Sequence, residues 1–232
     1  MKSLARLALI ALALPACSST TSPDAVTADV RTPSRQVDDA ATEIAKSTLP
    51  RIRELLAKGA ARSIGFGSAE ELDRASLGVP IPIYVATREA VASHAPGDDP
   101  HVALGTSREL MVPVEVDGMV KAAVVVASSG PGKWELVSVG RAHQMRDIDA
   151  VRRKLATERG GSRISLFTVP ETGVRLLAHE EQGDVLFTAF SERGAAGLPV
   201  GEPVKSERAL SHLAEFVTSR IAAPRRAPYV HP

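Results

Sequence analysis

Cysteine is almost absent from this 232-residue chain: Cys17 is the only one, so no intrachain disulfide can form. Aromatic residues make up only 3% of the chain. Base stacking on single-stranded nucleic acid needs several of them gathered together, which this supply does not provide. Charge of one sign is also lacking. Lys and Arg number 28 against 27 Asp and Glu, a formal net charge of +1, so no global field draws in nucleic acid. The short motifs of common enzymes are missing as well. There is no G-x-S-x-G nucleophile elbow, no G-x-x-x-x-G-K-[ST] phosphate loop and no H-E-x-x-H zinc helix. Gly65-Phe66-Gly67 is not continued into a dinucleotide fingerprint, and no strand feeds it.

What is present begins at the N-terminus. Lys2 and Arg6 form a positive region, and Leu4 with Leu7 to Leu14 forms an apolar run too short to span a bilayer. The run ends in Leu14-Pro15-Ala16-Cys17. An aliphatic residue at −3, a small one at −1 and then a cysteine resembles the lipobox of bacterial lipoproteins. The resemblance implies a signal peptide over 1–16 and lipidation of Cys17 as the first mature residue. It also implies anchorage in the cell envelope, with Ser18 favouring the outer membrane and a periplasm-facing globule. The alternative is an ordinary secretory signal followed by an incidental free Cys. Residues 18–34 are small and polar with two prolines, a flexible tether.

The globular part is expected over 35–222, with a subdivision near 142, and 223–232 reads as a disordered tail. Val37, Ala41, Ile44, Thr48, Ile52 and Leu55 recur at helical spacing, with Ser34 as N-cap, Gly59 as C-cap and Pro50 predicting a kink or two short helices. Ser68 and Glu71 read as a capping box opening a helix over 69–76. Pro80 and Pro82 confine the strand 81–86 to an edge, or themselves to its first residues. Residues 94–107 read as a surface loop.

The stretch Glu109 to Gly140 carries two turn signals, Asp117-Gly118 and Gly130-Pro131-Gly132-Lys133, between apolar runs. Asp-Gly favours a type I′ hairpin turn, so a three-stranded antiparallel meander is predicted, with Trp134 as its largest core anchor. Ala122 to Ala127 reads as a strand buried on both faces, and Met111, Pro113 and Glu115 as a wetter face of their strand. A helix follows over 143–158, with Met145, Ile148, Val151 and Leu155 inward and Asp149 in water, stopped by Gly160-Gly161. Three β runs come next (163–169, 174–180 and 185–189), then a Gly/Pro loop and a closing helix over 205–221 that turns Leu210, Leu213, Phe216, Val217 and Ile221 inward. The fold class is therefore α+β: antiparallel meander sheets with packed helices, in helix-then-meander order in both halves.

Glu71, Ala75, Leu77, Gly78, Pro80 and Tyr84, then Val112, Pro113, Val114, Asp117, Gly118, Trp134 and Gly140, follow a helix, Leu-Gly-x-Pro, hairpin and Trp-strand order. Over 37–142 this resembles a domain of uncharacterised secreted bacterial proteins. The resemblance implies structure and no catalytic residues.

Two clusters were weighed for chemistry. His94, Asp98, Asp99 and His101 are metal-ligand types, but a loop with prolines is a poor host for a rigid site, so no metal and no cofactor are expected. His179, Glu180, Glu181 and Asp184 offer a His beside carboxylates for acid–base work, but at an expected exposed turn. The expected function is a membrane-anchored, non-catalytic envelope module that binds an envelope protein and no nucleic acid. The alternative is an envelope hydrolase, or the accessory or inhibitor subunit of one.

The lipobox predicts that cells fed a labelled fatty acid attach it to the wild-type chain. The Cys17→Ser variant should carry no label and leave the membrane fraction. An unlabelled wild type, or a variant equally bound to membranes, would remove the lipoprotein reading.

Overall fold

The computed structural model describes residues 35–59, 64–105, 107–130, 133–159 and 163–222. Cys17 with its signal segment, the tether, Ser34, Pro131-Gly132, Gly160-Gly161 and the tail lie outside the described residues. The hairpin signal is the clearest local determinant. Asp117 and Gly118 both have positive φ, 52° and 74°, as a type I′ turn requires. They join β3 (Ser107–Val116) to β4 (Met119–Gly130), and β5 (Lys133–Gly140) completes the meander. A second two-residue turn, Gln182-Gly183 at φ 53° and 87°, joins β7 (Val174–Glu181) to β8 (Asp184–Ala189). β6 (Ile164–Val169) precedes them, and β9 (Pro203–Lys205) closes that side.

The two meanders form one sheet. β2 (Ile81–Val85) pairs antiparallel with β3 and parallel with β6, through Ile83↔Leu166, Tyr84↔Phe167 and Val85↔Thr168. The order is β5-β4-β3-β2-β6-β7-β8-β9, with β1 (Ala75–Leu77) alongside the end of β3. β2 is thus interior rather than an edge. Pro82 is tolerated because it stands opposite Leu110 of β3, before the β6 ladder begins at Ile83.

Helices cover both faces. On one, α1 (Arg35–Ala57) packs on β3, β4 and β5 through Ala41, Ala45, Ile52 and Leu56. On the same face α6 (Ser206–Ala222), with α3 (Arg88–Ala92) and α4 (Pro100–Leu104), covers Phe167, Leu176 and Phe187. The opposite face receives α5 (Ala142–Arg159), whose Met145, Ile148, Val151 and Leu155 meet Ile83, Met111, Val125 and Leu166. Alternation along β4 sends Val124 and Val126 toward α1 and Ala123 and Val125 toward α5, so this strand is buried on both faces.

Several expectations need correction. α1 is one helix through Pro50. The carbonyl its missing N–H leaves free is that of Lys46, and both residues are exposed, so water satisfies the group. The helix opened near Ser68, α2 (Ala69–Asp73), is short because Ala75–Leu77 is claimed by β3. The capping box is not formed: Ser68 makes no side-chain cap bond, and the Glu71 carboxylate accepts from Gly67 N at 2.9 Å instead. Residues 100–104 are helix within the expected loop, with Ala103 and Leu104 buried. The face of Met111 and Pro113 is dry because α5 lies over it. Asp149 is buried, held by Arg152 and Arg153 at 2.8 Å each. In α6, Leu210, Leu213 and Val217 are buried and Phe216 is partly so, while the Ile221 side chain is outside those described.

Trp134 is half-buried, packed on the margin of the α1 cluster, because β5 is the outermost strand and offers it a neighbour on one side only. β5 exposes Lys133, Glu135 and Val137, and its register against β4 shifts twice. The largest anchors are Phe167 and Phe187, fully buried in an edge-to-face pair with centroids 5.2 Å apart. Phe167→Ala should therefore cost about 3–5 kcal/mol. Trp134→Ala should cost less than half of that, since its site is partly open to water and can collapse. Urea unfolding of the two variants checks the order, and a larger loss at Trp134 would contradict the placement.

Candidate functional site

Neither cluster weighed from the sequence assembles. Asp98 accepts from Ala95 N at 2.8 Å, and Asp99 caps α4 by accepting from His101 N at 2.9 Å. His101 instead meets Glu180 across the fold, Nε2 to Oε1 at 3.5 Å. Among the described residues no three His, Cys, Asp or Glu side chains are placed to hold a metal ion. His179 is not on an exposed turn. It lies inside β7, paired with Ile164 and Leu186, and is 3% exposed. Strand alternation sends Glu180 to the opposite face from His179. Asp184 accepts from Lys205 Nζ at 2.8 Å on the surface. The acid–base constellation is thereby dispersed.

A cleft of about 1280 Å³ opens instead at the N-terminal end of α5. One wall is Gly65-Phe66-Gly67. The floor is Arg141 and the first turns of α5, with Ala142, His143, Gln144, Arg146 and Asp147. The other wall is Gly173, Arg175 and residues 190–194. Contributions thus come from both halves of the chain.

Glycine shapes both walls. A Cβ on Gly65 would stand 2.2 Å from Lys121 O and 2.6 Å from Ala142 Cβ, and Gly65 holds φ 103°. The first wall therefore lies directly on β4 and on the start of α5 only because residue 65 lacks a side chain. Gly194 lies against Arg175, with a virtual Cβ 3.1 Å from its carbonyl oxygen, so the 3-10 turn Glu192–Gly194 seats on β7. The Glu71 carboxylate fixes the first wall. It accepts from Gly67 N, and Lys121 Nζ lies 3.5 Å from its other oxygen. The Gly67 N–H holds the Glu71 pKa below its ordinary value against the opposing effect of burial, and Lys121 adds to the lowering.

The electrostatics of the floor are inverted relative to an ordinary helix start. Arg141 precedes α5 with φ 59°, unusual for a non-glycine residue, and α5 has no acid in its first turn. The first α5 bond runs from Met145 N to Arg141 O at 2.9 Å, so the N–H groups of residues 142–144 have no intrahelical acceptor. Cations are disfavoured at this positive end of the helix dipole, yet Arg141 and Arg146 line the same cleft. Arg146 Nη2 lies 2.7 Å from His143 Nδ1. Arg141 has its pKa lowered by desolvation, with Glu109 opposing and Arg175 adding a smaller lowering. No ion pair is described for Arg141, Arg175 or Arg193 among the described residues. Gln144 Nε2 is sealed from solvent without a hydrogen-bond partner among them.

Sequence reasoning passed over these arginines because they stand on separate elements, far apart in the chain. One signal was available: an Arg directly before a helix whose first turn carries no Asp or Glu breaks the usual charge preference.

Glu71→Gln keeps the shape of the latch and removes its charge. Near neutral pH it should cost about 1 kcal/mol, the difference between a hydrogen bond to a charged acceptor and one to a neutral acceptor. The folded chain holds Glu71 more acidic than the unfolded chain does. Its contribution is therefore complete above the unfolded carboxylate value of 4.5 and fades as pH falls through the folded value. Melting curves should separate wild type from variant at neutral pH and converge on the acid side. A gap that widens in acid would refute the latch.

Compared with family models, with curated proteins and with solved structures, the chain matches none.

Proposed function

We propose that this chain is a non-catalytic binding module of the bacterial cell envelope, anchored by lipid on Cys17 and binding an envelope component in the α5 cleft. One observation carries the reading. A cleft of about 1280 Å³, lined from both halves of the chain, brings together four arginines, Arg141 and Arg146 at the start of α5 and Arg175 and Arg193 on the facing wall. Concave sites with a few convergent polar groups at the junction of two structural units are where ligands usually bind. The anchor rests on the Leu14-Pro15-Ala16-Cys17 run and on the polar tether of residues 18–34, which leaves the globule room to present the cleft. Among the described residues no helix is long and apolar enough to cross a membrane. The periplasmic side of the outer membrane is the location that the lipobox resemblance supports.

The test is site-specific photocrosslinking in intact cells. A photoreactive residue in place of Glu192, exposed at the cleft, should capture a defined envelope component. The same residue in place of Glu43, exposed on α1, should not. Equal capture from both positions, or none from position 192, would overturn the reading.

A further inference from the structure

We infer that the α5 cleft is an oxyanion site that takes a phosphoryl group, either on a soluble ester or on a lipid headgroup. The inference rests on the reading of the cleft as the binding site and adds the chemical class of what binds. Two independent features converge there. The first is the arginine set: Arg141, Arg146, Arg175 and Arg193 outnumber the two acids of the cleft, Asp147 and Glu192. Among the described residues Arg141, Arg175 and Arg193 have no carboxylate within ion-pair distance. Arg175 repels Arg141 as a like charge and lowers its pKa, after desolvation and against a larger opposing pull from Glu109. A bound anion would relieve the repulsion.

The second feature is the helix start. The N–H groups of residues 142–144 lack intrahelical acceptors, and residues 142–144 line the cleft. Backbone N–H groups at the positive end of a helix dipole suit a negative ligand.

The number of donors selects the anion. A carboxylate has two oxygens and is met by one guanidinium fork. A phosphoryl group presents three terminal oxygens and up to two charges, matching several forks and backbone donors at once.

The test uses the mature chain from residue 17 carrying Cys17→Ser, so that neither a lipid anchor nor the apolar signal run contributes to vesicle binding. Calorimetric titration with inorganic phosphate, against chloride at equal ionic strength, should show saturable binding specific to phosphate. Arg141→Gln and Arg175→Gln should each weaken it about ten-fold or more, a loss on the scale of one charge-assisted hydrogen bond. Arg193→Gln, on an exposed turn, supplies the same reading where either of the others fails to fold by circular dichroism. Binding no stronger than that of chloride overturns the inference, as does binding undiminished in the folded variants. Two further arms assign the source. Tighter capture by vesicles containing phosphatidic acid than by dissolved glycerol phosphate identifies a lipid headgroup, and the reverse order identifies a soluble ester. Either order supports the phosphoryl class. If phosphate fails while position 192 still crosslinks its component, the phosphoryl class falls and the binding module stands. If both fail, both fall.

Discussion

The parallel pairing of β2 with β6 is the constraint on which the rest of the fold depends. Without it the chain holds two antiparallel meanders, each with an open edge. With it, Ile83 and Leu166 face α5 together, while Tyr84 and Phe167 face the opposite layer together. One helix, α5, then serves as the connection between the halves and as the cover for their seam. Arg163 adds a second tie, reaching from the start of β6 to both oxygens of Asp38 on α1, at 2.9 and 2.7 Å. The cleft exists because the seam has an end, and the start of α5 is what lies there.

The start of α5 sets helix physics against charge. A cation before the first turn is disfavoured by about 0.3–1 kcal/mol at an exposed helix end, and a left-handed backbone at a non-glycine residue adds a further cost. Arg141 incurs both. Other charges of the molecule are placed for stability: Asp149 neutralises Arg152 and Arg153, Glu115 also meets Arg152, and Asp117 takes Arg74. Arg141, Arg175 and Arg193 have no such partner among the described residues, and the cleft brings them together.

Much of the fold was legible because its signals are local. Asp117-Gly118 set a turn whose φ values only certain residues adopt readily, and Met145, Ile148, Val151 and Leu155 marked the inward stripe of α5 without reference to anything else. What escaped was set by distant partners. Ala75–Leu77 became strand because β3 had free backbone groups beside it. The face of Met111 dried because α5 crosses it. Trp134 is half-open because its strand has no outer neighbour. The merging of two meanders into one sheet could not be read from either meander. The cleft was the least legible part, since four arginines on different elements share no periodicity, and its glycines read as turns when seen singly.

The two rims of the sheet bear on how such chains behave when crowded. β9 is only three residues long, too short a template for another strand. β5 is longer, but its register shifts twice against β4, and Lys133 and Glu135 are exposed along it. Bulges and charges of this kind interrupt the regular row of donors and acceptors that a docking strand would need. Proteins tethered to a surface meet one another at high local concentration, where an open sheet edge would seed fibrous association. Here neither rim offers a straight template, so crowded copies of this chain would remain separate globules.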